Sequence, residues 1–254
     1  MIELTVTEVT PENVRQETLF CIKDLLNPGF KCKEQWINAR NKEGLKMLIL
    51  KDEEGQKIGF IEYIPASRAW RPVSADNFMF IQCMYIYPNK NKNKGHGSEL
   101  IKAVETDAKQ KGMHGVCVVS SSGPWMADKR IFEKNGYSVS DKKDRFELLC
   151  KKWQEPVTEP VFLDWSLEQV KYDGWHLLYA DQCPWHDKSA YAIKQVAEQY
   201  GLDLKIKKIT SSEDAKHAPS GYGVFNLLHD GKLLEDHYIS ATRFKNIIKK
   251  ELQL

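Results

Sequence analysis

The densest chemistry in this chain lies in ten residues, Asn89-Lys90-Asn91-Lys92-Asn93-Lys94-Gly95-His96-Gly97-Ser98. They follow an apolar run over residues 78–87 that ends at Pro88. They precede a helical pattern over 99–112, in which Leu100, Ile101, Val104 and Ala108 share one face. A strand that enters a basic, glycine-containing loop and leaves as a helix makes an anion site. The first helical amides lack internal partners, and the helix dipole favours negative charge there. Gly95 and Gly97 keep Cβ atoms out of the way, and Lys90, Lys92 and Lys94 add charge. The expected ligand is a pyrophosphate. The same run also fits a solvated turn. It is neither G-x-G-x-x-G, because position 100 is leucine, nor a P-loop.

The elements around this loop read as alternating strands and helices. A weak strand pattern covers residues 2–7. Helical spacing of Val14, Leu19, Ile22, Leu25 and Leu26 predicts a helix over 13–26, stopped by Asn27-Pro28-Gly29. A second helix is expected over 33–39. Strands are expected at 46–51 and 57–64 around a turn at 52–55. The stretch around Arg71-Pro72 reads as irregular. Beyond the loop and its helix, a strand over 116–122, a short helix, and strands at 137–140 and 145–151 complete the pattern.

On these residues the chain resembles the GNAT acetyltransferases. Ile86-Tyr87-Pro88 followed by Lys92-Asn93-Lys94-Gly95-His96-Gly97 is similar to the family's Arg/Gln-x-x-Gly-x-Gly/Ala signature. Phe132-Glu133-Lys134-Asn135-Gly136-Tyr137 is similar to its Tyr-Glu-Lys-x-Gly-Phe ending. The resemblance covers residues 1–153. It implies an α+β acyl-CoA acyltransferase fold, a mixed and mostly antiparallel sheet flanked by helices. It implies acetyl-CoA as donor, an amine as acceptor and no metal. Residues 92–98 (Lys92, Asn93, Lys94, Gly95, His96, Gly97, Ser98) would seat the pyrophosphate. The backbone of Met84, Tyr85 and Ile86 would align the pantetheine arm.

Two positions depart from the family pattern. Its usual signature Arg/Gln is Lys92, and the tyrosine that often protonates the leaving thiolate is replaced by Phe132, which has no hydroxyl. Some relatives carry a His or Glu base on the strand before the loop; here that residue is Gln82, which can hold a water but cannot titrate. Glu62, Gln82 and Cys83 are the catalytic candidates, with Tyr63 and the serines at 120–122 nearby in strand order. Glu62 is expected as a solvated strand residue, Cys83 as inert packing, and His96 and His114 as solvent-facing loop residues. Trp70, Arg71, Trp125 and Trp185 are candidates for an acceptor site or for the core. Transfer by proximity, with water relaying the proton, fits as well as a dedicated base.

Pro156 and Pro160 mark residues 154–163 as a linker. Residues 164–254 then read β-α-β, β-β-α: a strand near Trp175, Cys183-Pro184-Trp185-His186 opening a helix over 190–200, strands at 204–209, 223–228 and 233–239, and a helix over 242–252. Tyr191, Ile193, Val196, Ala197 and Tyr200 fall largely on one side of the first of these helices. His229-Asp230-Gly231-Lys232 is a hairpin turn. This part resembles a smaller thioredoxin-like α/β domain, and its Gly221-Tyr222-Gly223-Val224-Phe225-Asn226 run is similar to the YoaP-like domain that follows some acetyltransferases. The thioredoxin Cys-x-x-Cys is absent, because the fourth position is His186, so no resolving thiol is present there. Cys183 with His186 is a candidate thiol site, and loss of redox function is the alternative.

Composition narrows the class. The chain has 254 residues, a net charge of +2 and 42% hydrophobic residues, so it is a globular chain of one or two domains. Residues 1–153 hold 25 Lys and Arg against 20 Asp and Glu, and residues 154–254 hold 12 against 15. That asymmetry suits an anionic cofactor at the front and argues against nucleic acid. Six scattered cysteines, no apolar run of about 18 residues and no basic-then-apolar start lead to a cytoplasmic protein without membrane segments. The expected activity is acetyl transfer from acetyl-CoA to a primary amine of a small molecule or peptide. Two rivals remain: a thiol-redox or sensing protein acting through Cys183, and a CoA-binding module without turnover. Oligomeric state and acceptor are not legible.

Overall fold

The computed structural model describes residues 4–253; the start of the expected first strand, Ile2 and Glu3, lies outside them. The chain divides into two compact units. The first comprises Met1–Leu25, Ile37–Ala69 and Val73–Phe162, and the second Leu26–Trp36, Trp70–Pro72 and Leu163–Leu254.

The first unit holds strands β1 (Thr5–Val9), β2 (Lys46–Lys51), β3 (Lys57–Pro65), β4 (Val73–Ser74), β5 (Phe78–Ile86), β6 (Gly115–Ser121), β7 (Ser138–Lys143), β8 (Phe146–Lys152) and β9 (Val161–Phe162). Its helices are α1 (Val14–Glu17), α3 (His96–Gln110) and α4 (Lys129–Lys134). Helix α2 (Pro28–Asn41) contributes residues to both units. Seven strands form one sheet in the order β1-β2-β3-β5-β6-β8-β7, and only β5 and β6 run parallel. The expected stripe of Leu100, Ile101, Val104 and Ala108 is fully buried on α3 and packs with Ile61, Met84, Val118 and Phe132. Strands β4 and β9 pair separately, so part of the expected irregular stretch and of the expected linker is strand.

One helix reading is corrected. Residues 13–26 are helical only at α1, because Thr18 adopts φ 54° and turns the chain out. Leu19 and Ile22 are still buried, but from an irregular segment. Asn27-Pro28-Gly29 does not stop a helix. It starts α2: the Asn27 Oδ1 accepts from the Gly29 N–H (2.9 Å), and Pro28 takes the first helical position, where a missing donor costs nothing.

The second unit contains α5 (Ser166–Gln169), β10 (Trp175–Tyr179), α6 (His186–Gln199), β11 (Leu204–Lys208), α7 (Ser212–Lys216), β12 (Phe225–His229), β13 (Lys232–Glu235) and α8 (Ala241–Glu251). Its sheet order is β11-β10-β12-β13, with β10 parallel to β11 and the other pairs antiparallel. Asp230 and Gly231, at φ 49° and 72°, form the expected two-residue turn. Ser189 Oγ donates to the Ile239 carbonyl (2.7 Å) and ties α6 to the segment before α8. Of the residues expected largely on one side of α6, Ile193, Val196 and Ala197 are buried, whereas Tyr191 is exposed. Among the described residues, no helix is long and apolar enough to cross a membrane, and no group of three or more His, Cys, Asp or Glu is placed to hold a metal.

Candidate active site

The candidate site in the first unit lies where two strands part. Parallel pairing between β5 and β6 runs from Phe78 and Gly115 to Ile81 and Val118 and stops there, although β5 continues to Ile86 and β6 to Ser121. On the other side, β5 stays paired with β3, but the register shifts between Glu62 and Tyr63 and leaves Gln82 as the extra residue. A bulge increases twist and re-aims the strand, and here it falls where the sheet opens. Beyond Ile81 and Val118 no ladder pairing joins β5 to β6 among the described residues.

The expected donor-site residues are arranged along this edge and the loop that follows. Met84 and Ile86 turn their side chains into the core with α3, while Tyr85 is exposed. Tyr85 stacks with Tyr87 at 6.4 Å, and Lys92 Nζ lies 5.4 Å from the Tyr85 ring centre. Residues 92–95 are exposed. Gly95 takes φ 88° as the N-cap of α3, without a side-chain cap. The first intrahelical bond is Glu99 N–H to the Gly95 carbonyl (3.2 Å), so the amides of His96, Gly97 and Ser98 precede the helical ladder.

Three of these residues have further roles. The space a Cβ would take at Gly97 is filled by Ile131 of α4, so this glycine admits a neighbouring helix. Ser98 Oγ accepts from Asn135 Nδ2 (3.0 Å), which links the loop to the 132–137 run. His96, expected in solvent, is buried, and its Nδ1 has no hydrogen-bond partner among the described residues. His114 is half-buried.

The catalytic candidates are partly brought together. Glu62 and Cys83 are register partners, so their side chains leave the same face of the sheet, opposite α3. Glu62 is 0% exposed, against the expectation of a solvated residue, because β2 and β5 flank it on both sides. Cys83 is half-buried rather than packed away. Gln82 is buried at the bulge. Tyr63 lies on the α3 face; burial, with Asp107 nearby, pushes its phenol well above the ordinary range. Phe132 sits in the core, edge-on to Tyr137 at 5.7 Å. Burial raises the Tyr137 phenol well above its ordinary value as well.

The serine run is better placed than its sequence indicated. A cavity of about 520 Å³ is lined by the serines at 120–122, the start of α4 and the β7–β8 hairpin. Sequence reasoning missed Arg145, one of two residues in that hairpin turn. Its Nη1 donates to Ser121 Oγ (2.7 Å), and its guanidinium occupies the space a Cβ at Gly123 would take. Trp125 is exposed in the nearby loop. Trp70 and Arg71, read as acceptor candidates, belong to the packing of the second unit. Trp70 meets Trp36 edge-on, and the buried Arg71 donates to the carbonyls of Gly221 and Tyr222.

In the second unit, Cys183 precedes α6, whose N-cap is Trp185. His186 is 0% exposed, its Nδ1 is 3.0 Å from the Ala180 carbonyl, and burial pushes its pKa down to about 3. It is neutral at ordinary pH and supplies no positive charge to Cys183.

Comparison with known proteins shows what this geometry is similar to. Residues 13–137 match the acetyltransferase (GNAT) family. That match spans 125 of the 254 residues, including the β5 edge and the start of α3, and it supports an acetyl-CoA-dependent acyltransferase activity. A relative over nearly the whole chain is the uncharacterized N-acetyltransferase YoaP of Bacillus subtilis, 29% identical over 95% of this chain and 97% of that protein. An L-methionine sulfoximine/L-methionine sulfone acetyltransferase of Pseudomonas paraeruginosa is 22% identical over 52% of this chain and 73% of its own. The structure of yncA from Salmonella typhimurium with its cofactor acetyl-CoA covers 61% of this chain and 96% of its own, at 17% identity and a TM-score of 0.43.

Proposed function

We propose that the first unit acetylates a primary amine of a small molecule or peptide, and that the open edge of β5 and the start of α3 hold the donor. The observation that carries this is the end of β5–β6 pairing at Ile81 and Val118, on the strand that leads into uncapped helical amides. Backbone groups of Met84–Ile86 offer strand-like bonds to an amide-bearing arm, and the amides of His96–Ser98 offer bonds to phosphate oxygens. The donor supplies an activated thioester carbonyl. A neutral amine attacks that carbon, the C–N bond forms as the C–S bond breaks, and the proton lost by nitrogen ends on the CoA thiolate.

Glu62 is the carboxylate on the Cys83 face, and we assign it the amine's proton, passed directly or through water. Gln82 at the bulge holds water or substrate in position. The core placement of Phe132 supports thiolate protonation from solvent rather than from a tyrosine.

In this reading residues 1–153 are catalytic, 154–163 connect, and 164–254 form an accessory domain in a cytoplasmic protein. The order β11-β10-β12-β13, with a parallel β10–β11 pair and helices α6 and α8, supports a thioredoxin-like accessory domain. The neutral His186 and the missing resolving thiol favour a non-redox role for it. Calorimetric titration with acetyl-CoA, followed by thiol release across an amine panel, tests the assignment. Binding with turnover supports it, and binding without turnover on any amine leaves only a CoA-binding module.

A further inference from the structure

The run over residues 132–137 closes α4 and reaches the start of α3. Gly136, at φ 85°, ends the helix in a Schellman motif: its N–H donates to the Glu133 carbonyl (3.0 Å), and the Tyr137 N–H donates to that of Phe132 (3.1 Å). The edge-on contact of Phe132 with Tyr137 is the apolar pair that accompanies such an ending. These bonds fix Asn135, the C-cap residue. Four residues earlier, on the same side of α4, Ile131 occupies the space left by the missing side chain of Gly97. Asn135 meets the next residue of α3, Ser98.

The hydrogen-bond directions in this contact are determined. Asn135 Nδ2 is 2.7 Å from the Ile131 carbonyl and 3.0 Å from Ser98 Oγ. A carbonyl can only accept, so the nitrogen of the amide faces both partners and both of its hydrogens are used. Ser98 Oγ is the acceptor here, and its own hydrogen remains to be donated. Among the described residues that hydrogen has no acceptor. Ser98 is half-buried and is the third residue of α3. A helical Cα–Cβ bond tilts toward the N-terminus, so the hydroxyl leans to the end of α3 where the amides of His96–Ser98 lie.

We infer that Asn135 is a positioning residue for the donor: by donating to Ser98 Oγ, it turns the Ser98 hydroxyl hydrogen toward a pyrophosphate oxygen of acetyl-CoA. The inference rests on the donor placement proposed above and adds one hydroxyl donor to its backbone amides. Ser98 touches the donor, and Asn135 acts only through Ser98. A charged acceptor makes the hydroxyl's bond a strong one, and a hydrogen already held in place costs no reorientation on binding.

Calorimetric titration of the full chain with acetyl-CoA tests both residues through a double-mutant cycle. Ser98→Ala is expected to weaken binding about ten- to a hundredfold, the range for a hydrogen bond to a charged group. Asn135→Leu leaves the hydroxyl to turn freely. It is expected to weaken binding about three- to tenfold in the wild-type chain and less than about twofold in the Ser98→Ala chain. Asn135→Asp serves where the leucine variant folds poorly: its carboxylate takes the Ser98 hydrogen for itself, so the loss is at least that of Ser98→Ala. Equal losses from Asn135→Leu in both backgrounds overturn the inference, because the residue then supports the fold alone. Ser98→Ala binding within about twofold of wild type, while Gly95→Ala weakens binding, also overturns it and leaves the pyrophosphate to the amides. If neither Ser98→Ala nor Gly95→Ala weakens binding, or the wild type binds no acetyl-CoA, the donor placement itself fails and takes the inference with it, a result distinct from the other two.

Discussion

Both units contain a strand that runs into a turn and leaves as a long helix: β5 into the 15-residue α3, and β10 into the 14-residue α6. In the first unit the turn is exposed, basic and glycine-capped, with open space where a Gly95 side chain would be. In the second, the turn is filled. The carbonyl of Pro184 takes the place of a Cβ at Gly29 of α2, and His186 is buried and neutral. The same local architecture therefore offers an anion site in one unit and packing in the other. What separates them is which groups approach the helix start, not the helix itself.

Substitutions at the two turns and beside them sharpen this contrast. The largest effect is expected outside both, at Glu62→Gln, which removes the proton acceptor and lowers kcat about 10²- to 10⁴-fold with folding retained. A pre-steady-state assay with saturating acetyl-CoA measures it, and an unchanged kcat would leave the proton to water alone. Gly29→Val is next. Its side chain meets the Pro184 backbone, which cannot yield as a flexible side chain would, and the second unit loses about 3 kcal/mol or more in denaturant unfolding.

His186 gives a pH signature. Its folded pKa of about 3 lies below the ordinary 6.5, so only the unfolded chain takes up this proton between those values. The contribution to stability is complete above about pH 6.5 and is lost as pH falls toward 3, at about 1.4 kcal/mol per unit. Between pH 7 and pH 5, His186→Gln should lose about 2 kcal/mol less than the wild type in urea unfolding. Equal losses would mean the ring is already charged. Gly95→Ala is milder, about 1 kcal/mol of backbone strain at φ 88° in open space, read as weaker acetyl-CoA binding with little change in unfolding. Cys183→Ser should leave acetyl transfer within twofold, and a larger drop would join the second unit to the chemistry.

Much of this was legible from residue types. The α3 stripe, the β2–β3 hairpin and the Asp230-Gly231 turn follow from periodicity and left-handed turn chemistry, and the structure has all three. Asn27-Pro28-Gly29 was ambiguous because asparagine and proline serve a helix start as readily as a stop, and the Asn27 side chain decided it. The parting of β5 from β6 left no sequence trace, because the apolar run over 78–86 reads the same whether or not a neighbour is paired. Burial of Glu62 and His186 was equally hidden, since each depends on strands or helices distant in sequence. Arg145 lies in Asp141-Lys142-Lys143-Asp144-Arg145, a run that reads as solvated charge until Gly123 and Ser121 meet it.

The most direct measurement is amide hydrogen exchange of the full chain with and without saturating acetyl-CoA. Slowed exchange at residues 83–86 and 95–98, with β10, β12 and the start of α6 unchanged, is the result expected if the open strand edge and the helix start hold the donor. Protection absent from both segments, or centred on residues 180–190, would contradict that assignment.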